Sequence, residues 1–145
     1  MKKNILKNER GITLIMLILT IIIMALLLGI VVSNIDIGGD IRNYNYMKAD
    51  IELLETKIMT YYNKNGSLPT TGGAITEAKN ILGNQASSRD NDNYYQIDIS
   101  KLYNITLNYG GGTLANKDIY IVNEQSHNVY YLKGVIYQEN IYYTY

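Results

Sequence analysis

An α+β fold, with one long N-terminal helix packed on a small antiparallel β-sheet, is what the hydrophobic patterning of this 145-residue chain predicts. Two helical signals lead. Residues Ile12 to Val32 carry no charge, and Tyr44, Met47, Ile51, Leu54, Ile58 and Tyr61 then recur three and four residues apart, the period of one helical face. From Tyr94 onward the period falls to two, the mark of half-buried strands. Strands so closely spaced leave no room for crossover helices, so the sheet should be antiparallel, with the helical stripe covering one face.

At about 1.5 Å per residue, a helix over Ile12 to Val32 spans roughly the ~30 Å bilayer core. Lys2, Lys3, Lys7 and Arg10 precede it against a lone Glu9, which should hold the N-terminus in the cytoplasm and leave everything after about Ser33 outside. A secretory signal would have a shorter apolar core and a small-residue cleavage site, and Ser33-Asn34-Ile35-Asp36 does not supply one.

The segments are then a basic leader over 1–11, a transmembrane helix over 12–35, an amphipathic helix over 36–66, and a variable loop with the sheet over 67–145. Gly38 and Gly39 cost about 1 kcal/mol each in a helix interior and should kink or unwind the chain between the two helical parts. Asp40 can cap the second part, and Asp50, Glu52, Glu55 and Lys57 fall largely off its apolar stripe. Asn65-Gly66 should close the helix near Lys64, before Leu68-Pro69 forces extended backbone. The polar stretch from Thr70 to Asp92 holds one short helical segment, Ile75 to Leu82.

The cleanest alternation is Tyr103, Ile105, Leu107 and Tyr109 against Asn104, Thr106 and Asn108, ended by Gly110-Gly111-Gly112. Asp118 to Asn123 and Asn128 to Lys133 read as a hairpin around Glu124-Gln125-Ser126-His127, and Ile141 to Tyr145 as a last strand.

The junction Gly11-Ile12-Thr13-Leu14-Ile15, with a basic leader before it and an apolar helix after it, resembles the N-terminus of type IV prepilins and pseudopilins. In that family a glycine precedes a segment that usually begins F-T-L-I-E. Here Ile12 replaces the aromatic, and Met16 stands where the glutamate is usual. The stretch Tyr61 to Pro69, with its Asn65-Gly66-Ser67-Leu68-Pro69 end, is similar to the tyrosine-containing N-G-x-x-P close of a pseudopilin's long helix. The resemblance implies a pilin-like fold and cleavage after Gly11, leaving Ile12 as an N-methylated terminus with the helix still attached. It also implies a prepilin peptidase, an assembly ATPase, a platform protein, and other pilin or pseudopilin subunits as partners. In the family the glutamate is thought to pair with the N-terminal amine of a neighbouring subunit, a pairing Met16 cannot make. A subunit at the filament tip has no neighbour above it, so a minor, tip-forming role is the expectation. Thr13, Thr20, Ala25 and Gly29 are positions where helices could approach closely or, equally, ordinary residues of a lone anchor.

Composition narrows the remaining classes. The chain has 13 basic and 13 acidic side chains, and the leader takes four of the former and one of the latter, leaving a net charge of −3 that argues against nucleic acid. With no cysteine and His127 as the one histidine, in an expected turn, no nucleophile–base constellation can be built, and no enzyme is expected. Asp90-Asn91-Asp92-Asn93 offers oxygen ligands for calcium, with Asp90 and Asp92 as the candidates, but lacks the glycine and distal glutamate of an EF-hand loop. A solvated polar loop is the preferred reading, and no cofactor is expected. The sequons at Asn65 and Asn104 are common by chance in an asparagine-rich chain.

All 15 aromatic residues are tyrosine. They read chiefly as sheet residues whose rings pack while their hydroxyls reach polar partners, with Tyr137, Tyr142, Tyr143 and Tyr145 set apart as candidates for a contact surface. A signal-anchored surface protein with an outer binding domain and no filament role is the alternative function.

Overall fold

The computed structural model of the chain describes the backbone from Ile5 to Tyr145 and the side chains of residues 13–26 and 38–145. Two compact units divide it, Met1–Gly39 and Asp40–Tyr145. The first helix, α1, runs Ile5–Asn65 and contributes to both. Among the described residues no helix is long and apolar enough to cross a membrane, and of the run Ile12 to Val32 only residues 13–26 have described side chains.

Two expectations about α1 are corrected. Of the kink or unwinding expected at Gly38 and Gly39, the unwinding does not occur, since helical backbone continues through both residues. Glycine weakens a helix by about 1 kcal/mol but keeps both its N–H and its carbonyl, and stopping and renucleating costs more than two such residues. Asp40 accordingly lies inside the helix and has no free helix start to cap.

The closing end behaves as read from sequence. The Gly66 N–H donates to the Tyr62 carbonyl at 2.8 Å, with φ +70, the left-handed turn that ends a helix. Asn65 Nδ2 adds a bond to the Tyr61 carbonyl at 2.9 Å.

In the second unit a four-stranded antiparallel sheet has the order β1 (Thr70–Thr71), β2 (Tyr94–Ile97), β3 (Tyr120–Asn123), β4 (Val129–Tyr131). Its register pairs Thr70 with Ile97, Tyr95 with Val122, and Ile121 with Tyr130. The expected hairpin is β3–β4. A separate hairpin, β5 (Val135–Tyr137) with β6 (Asn140–Tyr142), takes the place of the last strand expected from Ile141.

Both faces of the main sheet are covered. Met47, Ile51, Leu54 and Ile58 of α1 pack against Ile97, Tyr120, Val122, Val129 and Tyr131 on one face. On the other, Ile75 and the short helix α2 (Ala78–Leu82) bury Tyr94, Ile119, Ile121, Tyr130 and Leu132. That is why β3 and β4 are buried at every position rather than at alternate ones.

The clearest sequence alternation, Tyr103 to Tyr109, forms no strand. Its burial does alternate in part, with Ile105, Leu107 and Tyr109 against the core and Asn104, Thr106 and Asn108 exposed, but Tyr103 is 85% exposed. The segment is held by a side chain of α1 instead of a neighbouring strand. At its end Gly110, with φ +86, lies so close to the Tyr120 ring that an added Cβ would come within 2.6 Å of it.

Candidate functional site

Residues 13–26 of α1 form a continuous exposed apolar surface. Leu14, Ile15, Met16, Leu17, Ile18 and Leu19 are each at least half exposed, as are Ile21, Ile22, Met24 and Leu26. Successive helical residues are about 100° apart, so consecutive exposed residues cover the whole circumference. Removing that surface from water is worth of order 10 kcal/mol, far more than a lone helix can forgo. A helix apolar on every side belongs in a nonpolar surrounding. Thr20 suits one, since its hydroxyl already donates to the Leu17 carbonyl at 2.8 Å. Met16 is 60% exposed on this surface and presents a thioether, which carries no charge to pair with an amine. The junction residues Gly11 and Ile12, and Gly29, lie outside the residues whose side chains are described.

Three aspartates organise the second unit, each receiving tyrosine hydroxyls or backbone N–H groups. Asp50, 2% exposed, accepts from the Asn108 and Tyr109 N–H groups at 2.8 and 3.0 Å and from the Asn108 amide and the Tyr120 hydroxyl at 2.8 Å. The expectation that Asp50 lies off the buried stripe is therefore wrong. It is three residues past Met47 and four before Leu54, on the same face, and its polar group is tolerated because it is fully hydrogen-bonded.

Asp118 accepts from the Gly110 N–H at 2.9 Å and the Tyr131 hydroxyl at 2.6 Å, and the Tyr131 bond holds its acid below the usual carboxylate range. Asp90 accepts from the hydroxyls of Tyr94, Tyr130 and Ser126 and from the Asn128 amide. These bonds tie the loop before β2 to β2 itself, to the β3–β4 turn and to β4. The calcium candidates are thus placed apart. Asp90 faces inward with both oxygens accepting hydrogen bonds, while Asp92 is mostly exposed and pairs with Lys79. Among the described residues no group of three or more His, Asp or Glu could hold a metal ion.

His127 sits in the β3–β4 turn with φ +62, its ring 4.6 Å from that of Tyr62. Of the four tyrosines set apart as surface candidates, Tyr137 stacks on Tyr44 at 5.0 Å and Tyr142 meets the same ring edge-on. Tyr143 packs against the cluster under α2. Tyr145, half exposed, lies under the Lys48 ammonium and donates to Glu55 at 3.3 Å.

Burial, reinforced by the facing aspartates, raises the pKa values of Tyr94, Tyr120, Tyr130 and Tyr131, with Tyr130 pushed up to about 12. Unfolded tyrosines ionise near pH 10. These four therefore contribute stability that is complete below about pH 10 and lost as pH rises toward their folded values, because the unfolded chain releases protons first. On alkaline titration, tyrosinate absorbance of the core residues should appear in one step together with loss of far-ultraviolet circular dichroism. Full ionisation of all 15 tyrosines with the dichroism intact would contradict this.

Comparison of the chain with protein-family models, with curated proteins and with solved structures finds no match.

Proposed function

We propose that this chain is a structural subunit of a type IV pilus or type II secretion-like filament, a minor pilin or pseudopilin suited to the tip. The observation that carries the reading is the apolar surface around residues 13–26, directly after the cationic leader and the Gly11-Ile12 junction. The helix packed on an antiparallel sheet and the helix close at Asn65-Gly66 support it.

On this reading a prepilin peptidase removes residues 1–11, and the helix over Ile12 to Val32 holds the subunit in the bilayer with its globular unit outside. Assembly, driven by the ATPase and platform protein, moves the same surface from lipid into a bundle of neighbouring helices. The transfer costs little apolar contact, because both surroundings are nonpolar, and close packing decides the outcome. Met16 leaves the amine of an adjoining subunit without a counter-charge, which disfavours repeated addition of this chain and suits a single terminal position.

Met16 also favours a second reading, a signal-anchored surface protein with an outer binding domain that never enters a filament. Shearing the native cells separates the two. A filament subunit is expected in the sheared fraction at low abundance beside a major subunit, and should make no long filaments when it is the sole subunit supplied to the machinery. Complete retention in the membrane fraction while the cells shed filaments would support the anchored protein.

A further inference from the structure

We infer that the groove between the last turns of α1 and the segment Ser100 to Tyr103 binds an anionic glycan, a chain of sugar rings bearing carboxylates. Its volume is about 570 Å³, within the range of small-molecule sites. Lys57, Tyr61 and Lys64 recur at four- and three-residue spacing on one helical face and form one wall, while Ser100, Lys101 and Tyr103 form the other. Three lysines line the groove and no acid does.

Two of these lysines are fixed in place. The Lys57 ammonium donates to the Tyr103 carbonyl at 3.0 Å, and the Lys101 ammonium to the Thr70 carbonyl at 2.8 Å, with Asp98 a further 3.5 Å contact at the rim. Each ammonium has three donors, so both keep N–H groups for a ligand. Lys64, exposed in the last turn of α1, adds the third charge. A cleft lined by one sign of charge focuses its field on an incoming anion. It stands out in a chain with no net charge.

The rest of the lining selects among anions. Tyr103, 85% exposed at the lip, offers its ring to the apolar face of a sugar, with Tyr61, packed against the core, in the wall behind it. The Ser100 and Thr60 hydroxyls and the Asn65 amide already donate to Asp98, the Thr56 carbonyl and the Tyr61 carbonyl, and so meet sugar hydroxyls with their oxygens as acceptors. An isolated phosphate would be better served by an arginine fork or a nest of backbone N–H groups, neither of which lines the groove. An acidic peptide would need apolar anchor pockets, and Leu102 is the one aliphatic side chain in the lining. This assignment does not depend on filament assembly.

The test is calorimetric titration of the full chain in an uncharged detergent with tetragalacturonate, maltotetraose, tetraglutamate and tripolyphosphate. Tetragalacturonate is expected to bind with submillimolar affinity, at least tenfold more tightly than the other three, and more weakly as salt rises. Lys64→Gln and Tyr103→Ala change exposed side chains, so both variants should keep the wild-type unfolding curve. Each should weaken tetragalacturonate binding roughly threefold or more. The inference is overturned if tetragalacturonate does not bind at millimolar concentration, if any of the other three matches it, or if either variant binds it as the wild type does.

Discussion

Asp50→Ala is expected to destabilise the globular unit by about 3–5 kcal/mol, a large fraction of the roughly 5–15 kcal/mol that holds a typical domain together. The substitution removes the shared acceptor of the Asn108 and Tyr109 N–H groups and of the Tyr120 hydroxyl. Tyr120 is 2% exposed, so its hydroxyl cannot turn to water, and the segment before Gly110 loses its attachment to α1. Two milder variants grade the effect. Tyr120→Phe deletes one donor and should cost about 1 kcal/mol. Asp50→Asn keeps the shape and one acceptor but turns an amide toward donors, and should fall between the other two. Urea unfolding of the full chain in detergent measures all three. A loss below about 1 kcal/mol for Asp50→Ala would mean that this carboxylate does not key the loop to the helix.

The second large effect concerns residues 13–26. Ile18→Arg combined with Ile22→Arg places two cations on one face of the apolar run, at about 2.5–3.5 kcal/mol each near a membrane helix centre. The combined cost is of the same order as the insertion energy of the whole run. The double variant should be released from membranes by an alkaline wash that leaves the wild type in place. Ile18→Val with Ile22→Val should stay with the wild type. If the arginine variant is retained equally, the run is not held in lipid, and the anchor common to both functional readings is lost.

Much of this architecture was legible because it follows from periodicity. The stripe from Tyr44 to Tyr61 gave the buried face of α1, the Asn65-Gly66 pair gave its end, and two β-rich segments around a polar spacer gave β3–β4. Where residue type and position disagreed, position prevailed. Asp50 occupies a stripe position by spacing, yet its charge argued for solvent. The clue was an inward acid in a chain whose 15 tyrosines supply neutral donors.

Alternation misled between Tyr103 and Tyr109, since a period of two says that alternate side chains are buried, not that a neighbouring strand supplies the hydrogen bonds. The β5–β6 hairpin was hidden for another reason. Gln138 and Glu139 both adopt positive φ, at +50 and +66, in a turn that usually announces itself with Asn-Gly. Local preference was overridden there by pairing and packing, Val135 buried and Tyr137 stacked on Tyr44. Of the candidate sites, the apolar helix was visible as composition. The lysine groove was not, because Lys57 and Lys101 are 44 positions apart and only the fold brings them together.

If the chain is a filament subunit, residues 1–11 are a leader removed while the helix stays attached. Mass spectrometry of the N-terminal peptide, from protein isolated out of its native membrane or sheared surface fraction, tests it most directly. A filament subunit is expected to begin at Ile12 with an N-methylated amine, despite Met16. A chain still carrying Met1 or the leader would contradict that reading and leave a signal-anchored surface protein.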